Sequence, residues 1–243
     1  MDKDKVLQTK FGKQVTEDSV DIAKLAIAQD KKKKKLVPTS EQSYILRVSD
    51  VIVEINNLLD NLEYCEIFLN SYSASAAWKK KYDWSHYIRY HYEVWIMNLV
   101  RLYERILILV NEVYDLGVED KQVNYRTISS NRHLENTGTL KLLKKIDDAL
   151  NNIRAARNQV LHRSMYDDDK LKRVAMFDFV ARHGNNQKER GSFIFAAKLD
   201  AKIYLMTKKK EVKENNIKMV DIVEAIYKTL DIKYDEMKRH LVA

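Results

Sequence analysis

The chain has little with which to build turns. Its 243 residues include five glycines and a single proline, Pro38, too few for the many tight connections of a sheet-rich architecture, so a nearly all-helical class is expected. Cysteine is scarcer still. Cys65 stands alone, which excludes a disulfide framework within the chain; in an apolar helical pattern it reads as a packed thiol suited to a reducing compartment. Long hydrophobic runs are also missing: the longest aliphatic run, Ile106 to Val110, falls far short of the roughly 20 residues that cross a bilayer. The opening residues Met1-Asp2-Lys3-Asp4-Lys5 are charged and lack the apolar segment of a secretory leader. A soluble cytoplasmic protein without a membrane partner is the expectation. His86 and His91 are five apart rather than the three or four that align zinc ligands on a helix, and there is no Cys/His cluster or Gly-rich phosphate loop. No metal and no cofactor are expected.

What is present is charge and helical periodicity. The formal net charge is +8, from 43 basic and 35 acidic residues, a bias towards anionic partners and nucleic acid above all. Half of the excess lies in residues 1–38, where ten lysines face six acidic residues. The run Lys31 to Lys35 can track a phosphate backbone, though a solvated linker between helices is the simpler reading. A short amphipathic helix is expected over 16–30, with Thr16 as N-cap and Val20, Ala23, Leu25 and Ile27 among its apolar positions. Thr39-Ser40-Glu41-Gln42 offers a capping box for a helix reaching about residue 70. After a lysine and aromatic break at 78–82, a long helix from about 85 to 116 carries Ile88, Trp95, Ile96, Leu99, Leu102, Tyr103, Ile106, Leu109, Val110 and Val113 on one side, and Gly117 stops it. Thr137 or Thr139 can cap the helix that follows. Asp167-Asp168-Asp169 suits the start of another, ending near His183 and Gly184. Residues 193–212 tolerate helix or strand, with helix favoured for want of turn residues, and a last helix is expected over about 216–241.

The helix after Thr139 carries the most informative residues. Its stripe of Leu142, Leu143, Ile146, Ala149, Leu150, Ile153, Ala156, Val160 and Leu161 recurs at three and four residues, and Arg157 falls near the middle of that arc. A guanidinium there must find a carboxylate of the fold, such as Glu93 or Glu104, or an anion from outside, because an unpaired buried charge costs several kcal/mol. Asn158 and His162 lie one turn apart on a different face.

Arg157-Asn158 followed by His162, late in an all-helical domain, resembles the R-x4-6-H motif of the HEPN superfamily, many of whose members are metal-independent ribonucleases of bacterial toxin and defence systems. Chance supplies about one R-x4-6-H match in a chain of this composition. A second match, Arg126 to His133, has Thr127 where the family favours Asn, Asp or His, and is read as the coincidence. The resemblance implies an all-α, HEPN-like antiparallel helical bundle with additional N- and C-terminal helices. Residues 1–38 form a short helix and lysine-rich linker, and 39–243 the helical domain, with the motif core over about 39–183. It further implies RNA as substrate and a homodimer, with an antitoxin protein as a further partner. Arg157, Asn158 and His162 are the catalytic candidates. Members paired with nucleotidyltransferase antitoxins carry a tyrosine two residues after the histidine; here Ser164 stands there, and the nearest tyrosine is Tyr166. Arg157 and His162 are about 140° apart on a straight helix, so one helix cannot easily aim both at one phosphate, whereas a two-fold dimer brings two motifs to one cleft. Two readings stay open: a dimeric endoribonuclease, and an inactive HEPN-like RNA-binding or protein-interaction module.

Overall fold

Caps and breaks set the helices of the computed structural model, which describes residues 2–33, 35–71, 84–163, 165–166, 168–183 and 187–242. Among these, the side chains of residues 84, 152, 159, 161–163, 182, 187–189 and 242 stand outside the description. Helix α1 is Asp4–Leu7, α2 Lys10–Asp30, α3 Ser40–Asn70, α4 Trp84–Tyr114, α5 Tyr125–Ser129, α6 Gly138–Arg163, α7 Asp169–His183 and α8 Gln187–Val242, with 3-10 turns at Asp120–Gln122 and Arg132–Leu134. No strand occurs among the described residues, and the all-helical class holds.

The capping box at Thr39 is formed: the Gln42 N–H donates to the Thr39 hydroxyl at 3.2 Å and the Thr39 N–H to the Gln42 side-chain oxygen at 3.0 Å. Thr137 caps α6, accepting from the Leu140 N–H at 3.2 Å. Helix α4 ends at Tyr114, and Gly117 takes a φ of 68° just beyond it, a left-handed geometry that costs glycine least. The aromatic break at 78–82, with Trp78, lies outside the described residues.

Two expectations need correction. The first helix does not start at Thr16: α2 begins at Lys10, capped by Thr9, which accepts from the Gly12 N–H, while the Thr16 hydroxyl donates back to the Gly12 carbonyl at 2.7 Å. Its buried face is Phe11, Gly12, Val15 and Ile22, and Val20, Leu25 and Ile27 are exposed. Gly12 is required by a close approach, since a Cβ there would stand 2.9 Å from the Leu7 carbonyl oxygen. The second correction concerns the C-terminal part. Residues 193–212 are helical, and they are continuous with 216–241 as one 56-residue helix. The polar stretch between them hid that continuity, because Lys208 and Asn216 occupy buried positions where the periodicity calls for apolar residues.

The chain divides into two compact units. Unit one comprises Met1–Asp60, Arg101–Leu150 and Ile217–Ala243. Its core is aliphatic, with Val48, Ile52, Ile55 and Leu59 of α3, Leu102, Ile106, Leu109 and Val113 of α4, Leu143, Ile146 and Leu150 of α6, and Val223, Ile226 and Leu230 of α8 all buried. Within it α4 and α6 run antiparallel: Tyr103 donates to Asp147 at 3.0 Å, and the Tyr114 and Thr139 hydroxyls lie 3.4 Å apart. The N-terminal helices close this core. Phe11 meets Tyr227 and Tyr234 edge-on at 5.2 and 5.5 Å, Tyr44 stacks on Tyr234 at 5.6 Å, and Lys10 pairs with Asp231 at 2.9 Å.

Unit two comprises Asn61–Val100 and Asn151–Asn216. Leu62, Cys65, Leu69, Ile88, Trp95 and Leu99 are buried there with Leu171, Val174 and Ala201. Burial pushes the Cys65 thiol up to about 11, as expected for an inert packed cysteine. Asn216, with no exposed surface, accepts from the Trp95 indole N–H at 2.9 Å and donates to the Leu62 carbonyl and to Glu66, each at 3.1 Å.

Candidate functional site

The motif occupies the last turns of α6, within unit two. Upstream, Leu143, Ile146 and Leu150 are buried, and continuing their three- and four-residue steps leads through Ile153 to Arg157, both partly buried. The arginine therefore takes the inward position that the periodicity assigned to it. It is engaged by its surroundings in the fold. Asn158, the next residue, is exposed. His162 belongs to α6 by its backbone, and its side chain lies outside the described residues, as does Ser164.

The chain leaving the motif is held from α4. Arg89 donates from Nε to the Tyr166 carbonyl at 3.0 Å, and Glu93, one turn along, accepts from the Tyr166 N–H. Glu93 is thus committed to the backbone two residues beyond Ser164. This clamp fixes where α6 gives way to α7.

Around Tyr166 lies a polar cluster that reading the sequence did not find. The Tyr166 and Tyr204 hydroxyls both donate to Asp168 Oδ2, at 2.9 and 2.5 Å, and Asp168 Oδ1 accepts from the Leu171 N–H at 2.8 Å, capping α7. Asp168 is the cap within the acidic run; Asp167 lies outside the described residues. Lys208, 8% exposed, donates to the Tyr166 hydroxyl at 3.2 Å and to Glu211 at 3.0 Å, with its ammonium 4.1 Å from the centre of the Tyr92 ring. Tyr92 in turn donates to Glu211 at 2.5 Å. Burial works to raise the Asp168 carboxyl, but the hydrogen bonds from Tyr204, Leu171 and Tyr166 and the Lys208 charge outweigh it and hold Asp168 below its ordinary value. A lysine on the buried face of α8, four residues after Tyr204 and three before Glu211, was the available signal. Periodicity alone does not separate such a residue from a solvated lysine.

Of the other histidines, His86, His133, His183 and His240 are exposed. His91 is half-buried against Tyr87 and Phe68, with ring centres 4.4 and 5.3 Å away, and burial lowers its pKa. No group of His, Cys, Asp or Glu among the described residues is arranged to hold a metal ion. No helix among them is long and apolar enough to cross a membrane.

The all-helical class, with Arg157-Asn158-x3-His162 on the closing turns of α6, is what the resemblance to HEPN proteins implies. The chain belongs to the Cthe2314-like HEPN family, whose model matches residues 51–238. That match runs past the motif region into most of α8. No curated protein and no solved structure matches the chain.

Proposed function

We propose that this protein is a metal-independent endoribonuclease of a bacterial toxin or defence system, acting as a homodimer. Arg157, Asn158 and His162 of both protomers would line one cleft. The observation that carries the reading is the Arg157-Asn158-x3-His162 sequence on the closing turns of α6 in a HEPN-family chain. Its chemistry is complete without a metal. One histidine takes the proton of a ribose 2'-hydroxyl, whose oxygen attacks the adjacent phosphorus. The second histidine, from the partner protomer, gives a proton to the departing 5'-oxygen, and Arg157 stabilises the charge that builds on the phosphorane. The products are a 2',3'-cyclic phosphate and a free 5'-hydroxyl. Asn158, exposed beside the arginine, holds a phosphate oxygen or orients the histidine. Control by an antitoxin partner in the cytoplasm completes the proposal.

Incubation of the purified protein with RNA in EDTA tests it. Cleavage to cyclic-phosphate ends is expected, with resistance when the scissile ribose is 2'-deoxy. His162→Ala should lower the rate by about a hundredfold or more, with helicity and dimer mass unchanged. A folded, dimeric His162→Ala variant cutting at the wild-type rate would remove the catalytic assignment and leave the alternative, an RNA-binding or protein-interaction module. Asn158→Ala is the companion variant, because an exposed side chain can be deleted with little effect on folding.

A further inference from the structure

Tyr166 stands four residues after His162 and is held from two helices at once, all within unit two. On α4, Arg89, Tyr92 and Glu93 recur at three and four residues and so share one face. Arg89 and Glu93 take the Tyr166 carbonyl and N–H, and the Tyr92 ring lies 4.7 Å from the Tyr166 ring. On α8, Tyr204, Lys208 and Glu211 share a face in the same way. From there Lys208 donates to the Tyr166 hydroxyl, which donates on to Asp168, where the Tyr204 hydroxyl also ends. The backbone of Tyr166 is thus fixed by α4 and its side chain by α8.

The buried ammonium is the informative part. Lys208 shares the covered stripe of α8 with Ala201, Tyr204, Leu205 and Val212, all buried, and a methionine there would fill the same volume without the cost of taking a charge out of water. Stability alone therefore gives no reason for a lysine. What the ammonium adds is direction: it donates to the Tyr166 hydroxyl and to Glu211, and its charge stands 4.1 Å from the centre of the Tyr92 ring. Such a network fixes one arrangement where apolar packing tolerates several.

What precedes Tyr166 gives that arrangement its consequence. Helix α6 ends at Arg163, and the last carbonyls of a helix have no partner within it, so a terminal turn frays unless the chain beyond is anchored. Asn158 and His162 occupy those closing turns. We propose that Lys208 and Tyr166 are positioning residues for the motif: by anchoring the chain three residues beyond α6, they hold in place the turn that carries His162. This rests on the ribonuclease reading for what the motif does, whereas the anchor itself is measurable without RNA.

Two variants of the full chain test it. Tyr166→Phe removes one hydroxyl and leaves the ring and the α4 bonds to its backbone, and Lys208→Met removes the charge and keeps the stem. Amide hydrogen exchange over residues 157–163 should quicken by about tenfold or more in both, the scale of losing a hydrogen bond to a charged group, while residues 143–150 of the same helix keep the wild-type rate. Val174→Ala is the control, because it trims buried packing of α7 and removes none of these bonds; it should leave exchange over 157–163 unchanged. With RNA, both anchor variants should cut about tenfold or more slowly at saturating substrate with KM unchanged, since neither residue is offered to the substrate. Wild-type exchange over 157–163 in both variants would overturn the inference, and so would an equal rise in Val174→Ala, which would make the cluster a part of general stability. RNA cleavage at the wild-type rate in both variants would remove the positioning role and keep the ribonuclease. A wild-type chain that cuts no RNA, with exchange quickened in both variants as expected, would remove the ribonuclease and keep the anchor.

Discussion

Both units bury polar side chains, Thr9, Asn111 and Thr139 in unit one and Ser85, Asn98, Lys208 and Asn216 in unit two, but among the described residues only unit two buries a charged one. In unit one the interior is mainly aliphatic and closed by four aromatic rings, Phe11, Tyr44, Tyr227 and Tyr234, and its ion pairs, such as Lys10 with Asp231 and Arg47 with Glu112, keep one or both partners in water. Unit two encloses Asn216 under Trp95, and Lys208 among Tyr92, Tyr166 and Tyr204. It also leaves Phe195, Leu199, Ile203 and Met206 of α8 exposed and carries the motif. Aliphatic packing tolerates substitution of similar volume, whereas a satisfied buried polar network fixes one arrangement. The unit that holds the motif is the one that ties a buried lysine into a network of directional bonds.

The largest effect should come from the aromatic closure of unit one. Phe11→Ala removes a fully buried ring that meets Tyr227 and Tyr234 and should destabilise the protein by about 3–5 kcal/mol in urea unfolding. A loss under about 1 kcal/mol would show that α2 is dispensable to that core and weaken the contrast between the units.

Asn216→Leu probes the other side of the comparison. It keeps a side chain of similar size but strands the Trp95 indole N–H, and a buried group left unpaired costs about 1–3 kcal/mol, whereas the Leu62 carbonyl, inside α3, keeps its helical bond. Wild-type stability in that variant would mean that unit two is held by packing, as unit one is.

A pH effect is expected at Asp168. Its carboxyl is held below the ordinary value of 3.8 when folded, so between the two values the unfolded chain binds the proton and the folded chain does not. The stabilisation is thus fully present above the unfolded value and is lost as pH falls through the folded one. Asp168→Asn should be less stable than wild type at neutral pH, with the gap in urea midpoint narrowing as the pH is taken down through that window. A gap independent of pH would assign the residue's role to its α7 cap alone.

The smallest effect sharpens the contrast from within unit one. The Tyr227 hydroxyl is buried with no hydrogen-bond partner among the described residues, and burial raises its pKa. Tyr227→Phe should therefore be neutral or stabilise by up to about 1 kcal/mol. Measurable destabilisation would reveal a polar role for this hydroxyl in the unit-one core.

The sequence by itself determined the helical class, the span of α3 and α4, the cap at Thr39, and the inward place of Arg157, whereas it left Thr137 and Thr139 open as the cap of α6 and the structure chose Thr137. Each rests on local physics: a missing supply of turn residues, a reciprocal side-chain cap, a left-handed glycine, and the angle between successive side chains. Periodicity reports which residues share a face, but not which face is covered. Val20, Leu25 and Ile27 lie open while Phe11 and Ile22 are buried, because the aromatic groups awaiting α2 come from residues more than two hundred positions later. Only the tertiary structure decided that α8 is unbroken, since Lys208 and Asn216 take core positions once Tyr166, Trp95 and Leu62 supply their partners. It also decided that one apolar face of that helix enters the core and the other does not. A polar residue becomes a core residue only when distant chain satisfies it, and that distant pairing is the quantity a local pattern does not contain.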